Sequence, residues 1–508
     1  MTSDTRTGSA PQPSPRTILR PGDVITRPDW PAEIDVRTVH VVRIGGAGMS
    51  AVARLALEAG LAVSGSDSQD GQFIAPLREA GAVIGIGFDA ALLPEDLDLV
   101  IVSTAVRADN PEVLAARERG IPVIHRAAAL AGLLGERELV AVAGTHGKTT
   151  TTGMAVTTLR GAGEEPAWAL GAAVPDLGRN AGLGAEPGAS GGRLAVVEAD
   201  ESDGSFLAFT PRSLVVTNLE PDHLDFHGDA ATLTAAFDTL VGQLAPGGTL
   251  VVCADDPGAR ALGERARAAG TQVVTYGTDE DAAWFLREER SGTRGAEIEV
   301  DTPHGPLTVE LSVTGHHNVL NALGALAATA AVLPEPDSAA APAQLAAGLS
   351  VFTGASRRFD VAGVAGGVTV VDDYAHHPRE VAATIAAARG IVAAQGNPGE
   401  VLVAFQPHLF SRTRDFAVDF AAALSAADRA WVLPIYAARE DPDPSVTART
   451  VTDLAAESVL AVDGPEQLAE QVAAAAHPGD LLLMLGAGDI VEMTAPLMAA
   501  LEAAADAG

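Results

Sequence analysis

The residues best suited to chemistry begin at a glycine-rich turn. Leu139 to Ala143 is a short apolar, β-branched run, and Gly144-Thr-His-Gly-Lys-Thr-Thr150 follows it into a helical stretch. Strand, glycine turn and helix in that order predict an ATP site. Gly144 and Gly147 let backbone N–H groups approach an anion, and the helix points its positive end at it. Lys148 then reaches the β- and γ-phosphates, and the Thr149 hydroxyl is placed to ligate Mg²⁺. The loop is a shortened variant of GxxxxGK[ST], because Val142 stands where the first glycine would be. Lys and Arg together number 33, and Lys148 is the single lysine among them. A guanidinium is a planar fork and an ammonium a compact point charge. The one ammonium retained belongs where the fork will not fit.

Acids follow. Val196-Val-Glu-Ala-Asp-Glu-Ser-Asp203 ends a strand in four carboxylates. A carboxylate at a strand's C-terminal end, beside a phosphate loop, is where an Mg²⁺ ligand belongs, and Glu201 is preferred here to Glu198. The next strand runs into Thr217-Asn-Leu-Glu-Pro-Asp-His-Leu-Asp225, where His223 is placed to serve a second cation. Further upstream, Ile44-Gly-Gly-Ala-Gly-Met-Ser50 reads as the phosphate-binding turn of a Rossmann unit, with Asp67 nineteen residues after Gly48. That turn alone would fit an NAD-dependent dehydrogenase, a reading that leaves the Lys148 loop and the acids unexplained.

Holding these groups takes an α/β scaffold. Runs such as Val39–Ile44, Leu99–Val102, Leu194–Val197, Leu214–Thr217, Val401–Phe405 and Leu481–Leu485 alternate with Ala/Leu-rich helical stretches, the pattern of parallel sheets covered by helices. A length of 508 residues corresponds to three domains at roughly 150 residues each. Residues 1–34 hold six prolines without an apolar period and are expected to be a disordered extension. Breaks near Gly135–Glu138 and Gly354 divide the remainder. The expected units are a Rossmann-like domain over 35–137, a central P-loop ATPase domain with a parallel sheet over 138–353, and a Rossmann-like C-terminal domain over 354–508.

Composition narrows the partners. A formal charge of -33 excludes general binding to nucleic acid or anionic membrane, so any phosphate must be held by local geometry. The single cysteine, Cys253, excludes an intrachain disulfide. The longest apolar stretch, Val319 to Leu333, is shorter than the roughly 20 residues that span a bilayer, and no secretory apolar region opens the sequence. A cytoplasmic protein is expected.

Taken together, GTHGKTTT (144–151), EADESDGSF (198–206) and TNLEPDHLDFHGD (217–229) resemble the Mur ligases. These ATP-dependent enzymes add amino acids to the UDP-muramyl precursor of bacterial peptidoglycan. Within the family, the Ile44–Ser50 turn, Gly315-His-His-Asn-Val-Leu-Asn-Ala322, Ser356-Arg-Arg-Phe359, Asp372-Asp-Tyr-Ala-His-His-Pro378, Phe405-Gln-Pro-His408 and Gly486-Ala-Gly-Asp-Ile490 resemble the branch joining L-alanine to UDP-N-acetylmuramate. The nearest alternative is a sister ligase that attaches a preformed murein peptide to the same sugar nucleotide.

The resemblance implies a role for each matching residue. Gly144, Thr145, His146, Gly147, Lys148, Thr149 and Thr150 would hold the ATP phosphates, with Asn318 and Asn321 near adenine and His317 stacked on it. Thr149, Glu201 and His223 would bind Mg²⁺. Gly45, Gly46, Ala47, Gly48, Met49, Ser50, Asp67 and Ser103 would contact the UDP-sugar. Arg357 or Arg358 would come from the third domain to the transferring phosphate, and Tyr374, His376 and Arg412 would line the amino-acid side. Catalysis is then expected of Lys148, His223, the arginine pair and His376. The implied substrates are ATP, UDP-N-acetylmuramate and L-alanine, acted on by a monomer or homodimer. Two departures stand out: Arg43 replaces a glycine usual in relatives, and no lysine besides Lys148 exists to be carbamylated as a metal bridge.

Overall fold

The computed structural model describes residues 35–184, 193–292, 295–333, 340–394, 399–438 and 440–507. The expected extension over 1–34 lies outside them. Three sheets organise the described chain. In each, neighbouring residues of one strand point into different cores. Leu99 and Ile101 join one apolar cluster while Val100 and Val102 join another. Ala141 and Ala143 likewise part from Val140 and Val142, and Val401, Val403 and Phe405 from Leu402 and Ala404. Strands buried on both faces read as continuous apolar runs, which is why they were visible in the sequence.

The first sheet has the spatial order Val83–Ile86, Ala62–Asp67, Thr38–Val42, Leu99–Val102, Val123–His125, all parallel. The chain reverses its direction of winding beside Thr38–Val42, and the crevice at that point is where such sheets bind ligands. The second sheet has a parallel centre in which Glu138–Ala143 lies between Ser213–Val216 and Leu194–Glu198. The phosphate loop, the acid cluster and the segment carrying His223 therefore leave the C-terminal ends of three adjacent strands. The third sheet pairs Val368–Asp373 with Leu481–Leu485, then Val401–Phe405, Arg429–Val432 and Val459–Ala461, all parallel.

The sheets are not wholly parallel, as the alternation of strands and helices implied. Trp284–Ser291 joins the central sheet in parallel, and Ala296–Thr302 and Gly305–Leu311 extend that side through antiparallel pairs to the edge. Arg179–Gly182 closes its other edge, and Asp360–Ala365 is antiparallel at the edge of the third. These peripheral strands bury fewer side chains and mix charges with apolar residues, so they lack the signature of the centre. No described helix is long and apolar enough to cross a membrane.

Candidate active site

Lys148 opens the helix Lys148–Gly161. Its Nζ donates to the Gly144 carbonyl at 2.7 Å, to the Thr145 carbonyl at 3.2 Å and to Glu201 Oε1 at 3.0 Å. Gly144 and Gly147 take φ of +128° and +81°, and a Cβ on them would lie 2.1 Å from Thr217 Oγ1 and 2.5 Å from Asn321 Oδ1. Only glycine allows the loop to close this tightly.

The acids are shared out differently from the sequence expectation. Thr149 Oγ1 donates to Glu198 Oε1 at 3.0 Å, and the Gly171 N–H fixes Glu198 Oε2 at 2.7 Å. Glu201 instead faces the lysine. Glu198, set behind Glu201 in the sequence reading, is thus the carboxylate beside the loop hydroxyl. Burial pushes the Glu201 carboxyl up to about 7, against the pull of Lys148. Asp200 is held well below the usual carboxylate range: burial opposes ionisation, but Arg126 and Lys148 outweigh it. Arg126 Nη2 reaches Asp200 at 3.0 Å and Asp203 at 3.5 Å, joining the first domain to this cluster.

His223, at φ +53°, places Nε2 3.7 Å from Glu201 Oε1 and 3.6 Å from Asp222 Oδ2. Its Nδ1 is buried without a hydrogen-bond partner, and burial lowers its pKa, which favours a neutral ring. A neutral imidazole and carboxylates around a phosphate loop fit a divalent cation. Among the described residues no three such side chains form a complete cage, so phosphate oxygens and water would fill the remaining positions, as Mg²⁺ prefers.

A cavity of about 230 Å³ opens beside the loop, lined by His146, Asn218, Tyr276, Asn318 and Asn321 from the central domain and by Arg358, Asp373 and Glu380 from the C-terminal one. Asn318 Nδ2 donates to the Thr314 carbonyl at 2.8 Å and Asn321 Nδ2 to Asn318 Oδ1 at 3.3 Å. His317, an exposed residue, also borders the cavity. The two arginines divide. Arg357 donates to the Gly486 carbonyl at 2.6 Å, while Arg358 turns to the cavity; both guanidinium groups lie over the Tyr374 ring, at 5.0 and 5.2 Å.

His376 Nδ1 lies 3.0 Å from the Tyr374 carbonyl. A carbonyl only accepts, so Nδ1 carries the proton and Nε2 remains an acceptor. Burial pushes this imidazole down to about 3, so it is neutral and a weak base. Arg412 meets Asp222 at 3.0 Å in a buried ion pair across the domain boundary, rather than standing open on the amino-acid side.

In the first domain, the Gly45 N–H donates to Asp67 Oδ2 at 2.8 Å, and Ala47–Glu58 forms a helix whose first turn carries Gly48. Arg126 covers Gly48: its Nη1 would lie 3.1 Å from a Cβ there. Met49 and Ser50 are buried, and Ser50 Oγ accepts from Asn180 Nδ2 at 3.0 Å. Their side chains serve packing and the domain junction, and within the turn the Gly46 N–H donates to the Arg43 carbonyl at 3.2 Å. Ser103 is buried at the end of Leu99–Val102. Arg43 adopts φ +59° and its guanidinium lies 5.7 Å from the Phe88 ring centroid. Sequence reasoning missed Arg126, Asp222, Tyr276 and Glu380. For Glu380 a signal existed, an acid in the first turn of a helix opening with Pro378, and Asp222 stands next to His223 in its motif; Arg126 and Tyr276 are joined to the site only by long-range folding.

Family models match almost the whole described chain: the Mur ligase family catalytic domain over residues 38–138, the Mur ligase middle domain over 142–329 and the Mur ligase glutamate ligase domain over 357–488. The chain is 47% identical over 470 residues to the UDP-N-acetylmuramate–L-alanine ligase of Renibacterium salmoninarum, covering 92% of this chain and 96% of the relative. Among solved structures, the UDP-N-acetylmuramate-alanine ligase MurC of Thermotoga maritima matches with a TM-score of 0.75 at 29% identity, covering 92% of this chain and 99% of that one. A murein peptide ligase from Psychrobacter arcticus shares the fold, with a TM-score of 0.69 at 23% identity over 92% of this chain and 99% of that one.

Proposed function

The chain belongs to the Mur ligase family, and from that premise we propose that it joins L-alanine to the lactyl carboxylate of UDP-N-acetylmuramate, converting ATP to ADP and phosphate. The observation that carries this reading is the identity to alanine ligases over 92% of the chain, combined with a solitary lysine set inside a phosphate loop.

The chemistry explains the parts. A carboxylate does not condense with an amine at neutral pH, because oxide is a poor leaving group. One carboxylate oxygen therefore attacks the γ-phosphorus of ATP, the bond to the β-phosphate oxygen breaks, and ADP leaves. The neutral alanine amine then attacks the acyl carbon, the C–O bond to phosphate breaks, and the departing phosphate takes up the proton that the new amide nitrogen sheds. The first step brings two anions together. Lys148 offsets their repulsion, and Arg358, which borders the cavity, supplies a second positive group. Mg²⁺ would be held by the Thr149 hydroxyl and Glu198 with phosphate oxygens, and a second ion by His223, and would supply Lewis-acid screening of the γ-phosphate.

The first-turn N–H groups of Ala47 and Gly48 face the sugar nucleotide, in a turn braced by the Gly45 N–H on Asp67 and the Gly46 N–H on the Arg43 carbonyl. His376, neutral and with Nε2 free to accept, orients the amine more than it draws off its proton. Exclusion of water protects the acyl phosphate, a task for the C-terminal domain over the cavity. Nucleotide substrates of this kind place the reaction in the cytoplasm, with the protein a monomer or homodimer.

Phosphate release with UDP-N-acetylmuramate and ATP across a panel of amines tests the proposal. Release with alanine, and none with a preformed murein tripeptide, is expected. Preference for the tripeptide would assign the chain to the sister activity instead.

A further inference from the structure

Glu380 divides its two oxygens between the two halves of the site. It lies in the first turn of the helix Pro378–Ala394. Oε1 lies 3.1 Å from Nδ1 of His146, the phosphate-loop residue before Gly147, and 3.9 Å from Arg358 Nη1. Oε2 accepts from the backbone N–H of His376 at 3.0 Å and of His377 at 3.2 Å. The rings of His146 and His377 also pack together, with centroids 4.7 Å apart. Glu380 and His146 are separated by 234 positions, one on a helix of the C-terminal domain and the other in the central domain's phosphate loop, so this carboxylate spans a domain boundary at the point where the two reaction steps meet. Neither oxygen has a part in the steps described above.

We infer that Glu380 is a positioning residue that locks the phosphate loop, through His146, in register with the segment presenting His376. The inference rests on the ligase reading and deepens it. An acyl phosphate made against one domain must meet an amine held by another, at a separation of about 3–3.5 Å. A linker alone does not hold that tolerance, and the Asp222–Arg412 pair fixes the two domains at a different point, away from the phosphate-loop histidine. Helix capping accounts for Oε2, since first-turn acids commonly reach back to free N–H groups. It does not account for Oε1, which is turned away from the helix toward the loop. A carboxylate suits both tasks, because each of its oxygens accepts without needing a proton.

The test is a double-variant cycle. Glu380→Gln keeps one carbonyl to accept from the backbone but presents an amide N–H₂ to the other partner. His146→Phe keeps the ring against His377 and removes the Nδ1 donor without touching the helix. Each single change is expected to lower kcat/KM for alanine about 10- to 100-fold, and the double variant no further than the worse single. Affinity of Glu380→Gln for a non-hydrolysable ATP analogue, measured by calorimetry without amino acid, is expected to stay within a factor of about 3. Losses that multiply in the double variant, or that fall wholly in analogue affinity, would overturn the inference. If the unaltered protein shows no alanine-dependent turnover, the ligase reading fails by itself. The lock is then read from small-angle scattering: equal analogue-driven compaction in the unaltered protein and Glu380→Gln would overturn it, and compaction lost in the variant would support it.

Discussion

Lys148 Nζ stands 2.8 Å from Glu201 Oε2, with both side chains largely closed off from solvent. Burial alone would lower the lysine pKa, but Glu201 and Asp200 outweigh it and raise it. The ammonium is therefore charged, with the ionised Asp200 supporting it beside Glu201. Removing it should leave the phosphoryl step without its fixed cation. Lys148→Ala is expected to lower turnover by on the order of 10²-fold or more. Lys148→Arg should also fail, because a fork cannot reproduce three donors converging on Gly144, Thr145 and Glu201. Steady-state phosphate release checks both, and near-normal turnover in either would contradict the role.

Glu198 and Glu201 should separate in a magnesium titration. Glu198 is bound to the Thr149 hydroxyl, whereas Glu201 is bound to Lys148. Glu198→Gln is expected to raise the Mg²⁺ needed for half-maximal rate by at least about 10-fold, the scale found when even outer partners of a metal ligand are lost. Glu201→Gln should lower kcat with little change in that midpoint. The reverse result would restore the assignment made from sequence.

The buried Asp222–Arg412 pair joins the central and C-terminal domains. Asp222→Ala leaves a buried guanidinium without its counter-ion and is expected to cost about 3–5 kcal/mol in denaturant unfolding. Replacing both partners together, as Asp222→Leu with Arg412→Met, should recover much of that loss. A single variant as stable as the parent would mean that the pair is not closed in solution.

Burial pushes His376 down to about 3 and His377 down to about 4, against an unfolded value near 6.5. Between these values the unfolded chain binds more protons than the folded one. Stability contributed by the neutral rings is present above about pH 6.5 and is lost as pH falls toward 3. Unfolding midpoints measured from pH 7 to pH 4.5 should fall, and His376→Asn should make the fall shallower. His376 should also contribute no inflection to the kcat profile between pH 6 and 8. An inflection there that disappears in His376→Asn would show a titrating base.

How much of this was legible in the sequence depended on where each group lies in the fold. Strands at sheet centres, such as Leu99–Val102, Val401–Phe405 and Leu481–Leu485, are apolar on both faces and announced themselves, so the α/β class was readable. The peripheral strand Trp284–Ser291 carries Arg287, Glu288, Glu289 and Arg290 among its residues. Its ladder is held by pairs such as Arg290 with Glu299 at 3.1 Å, which leave no apolar run to find. Local motifs singled out Lys148, Glu201 and His223, and the fold brings these three together. The division of labour between Glu198 and Glu201, or between Arg357 and Arg358, depends on which way a side chain turns. Pairings such as Asp222–Arg412 and His146–Glu380 join segments far apart in the chain and leave no periodicity in either.

The acyl phosphate is the centre of the account, and isotope transfer tests it most directly. UDP-N-acetylmuramate labelled with ¹⁸O in both oxygens of its lactyl carboxylate, turned over with ATP and alanine, should yield phosphate carrying one ¹⁸O per molecule, because the oxygen that attacked phosphorus leaves with it. Phosphate free of label would contradict the account.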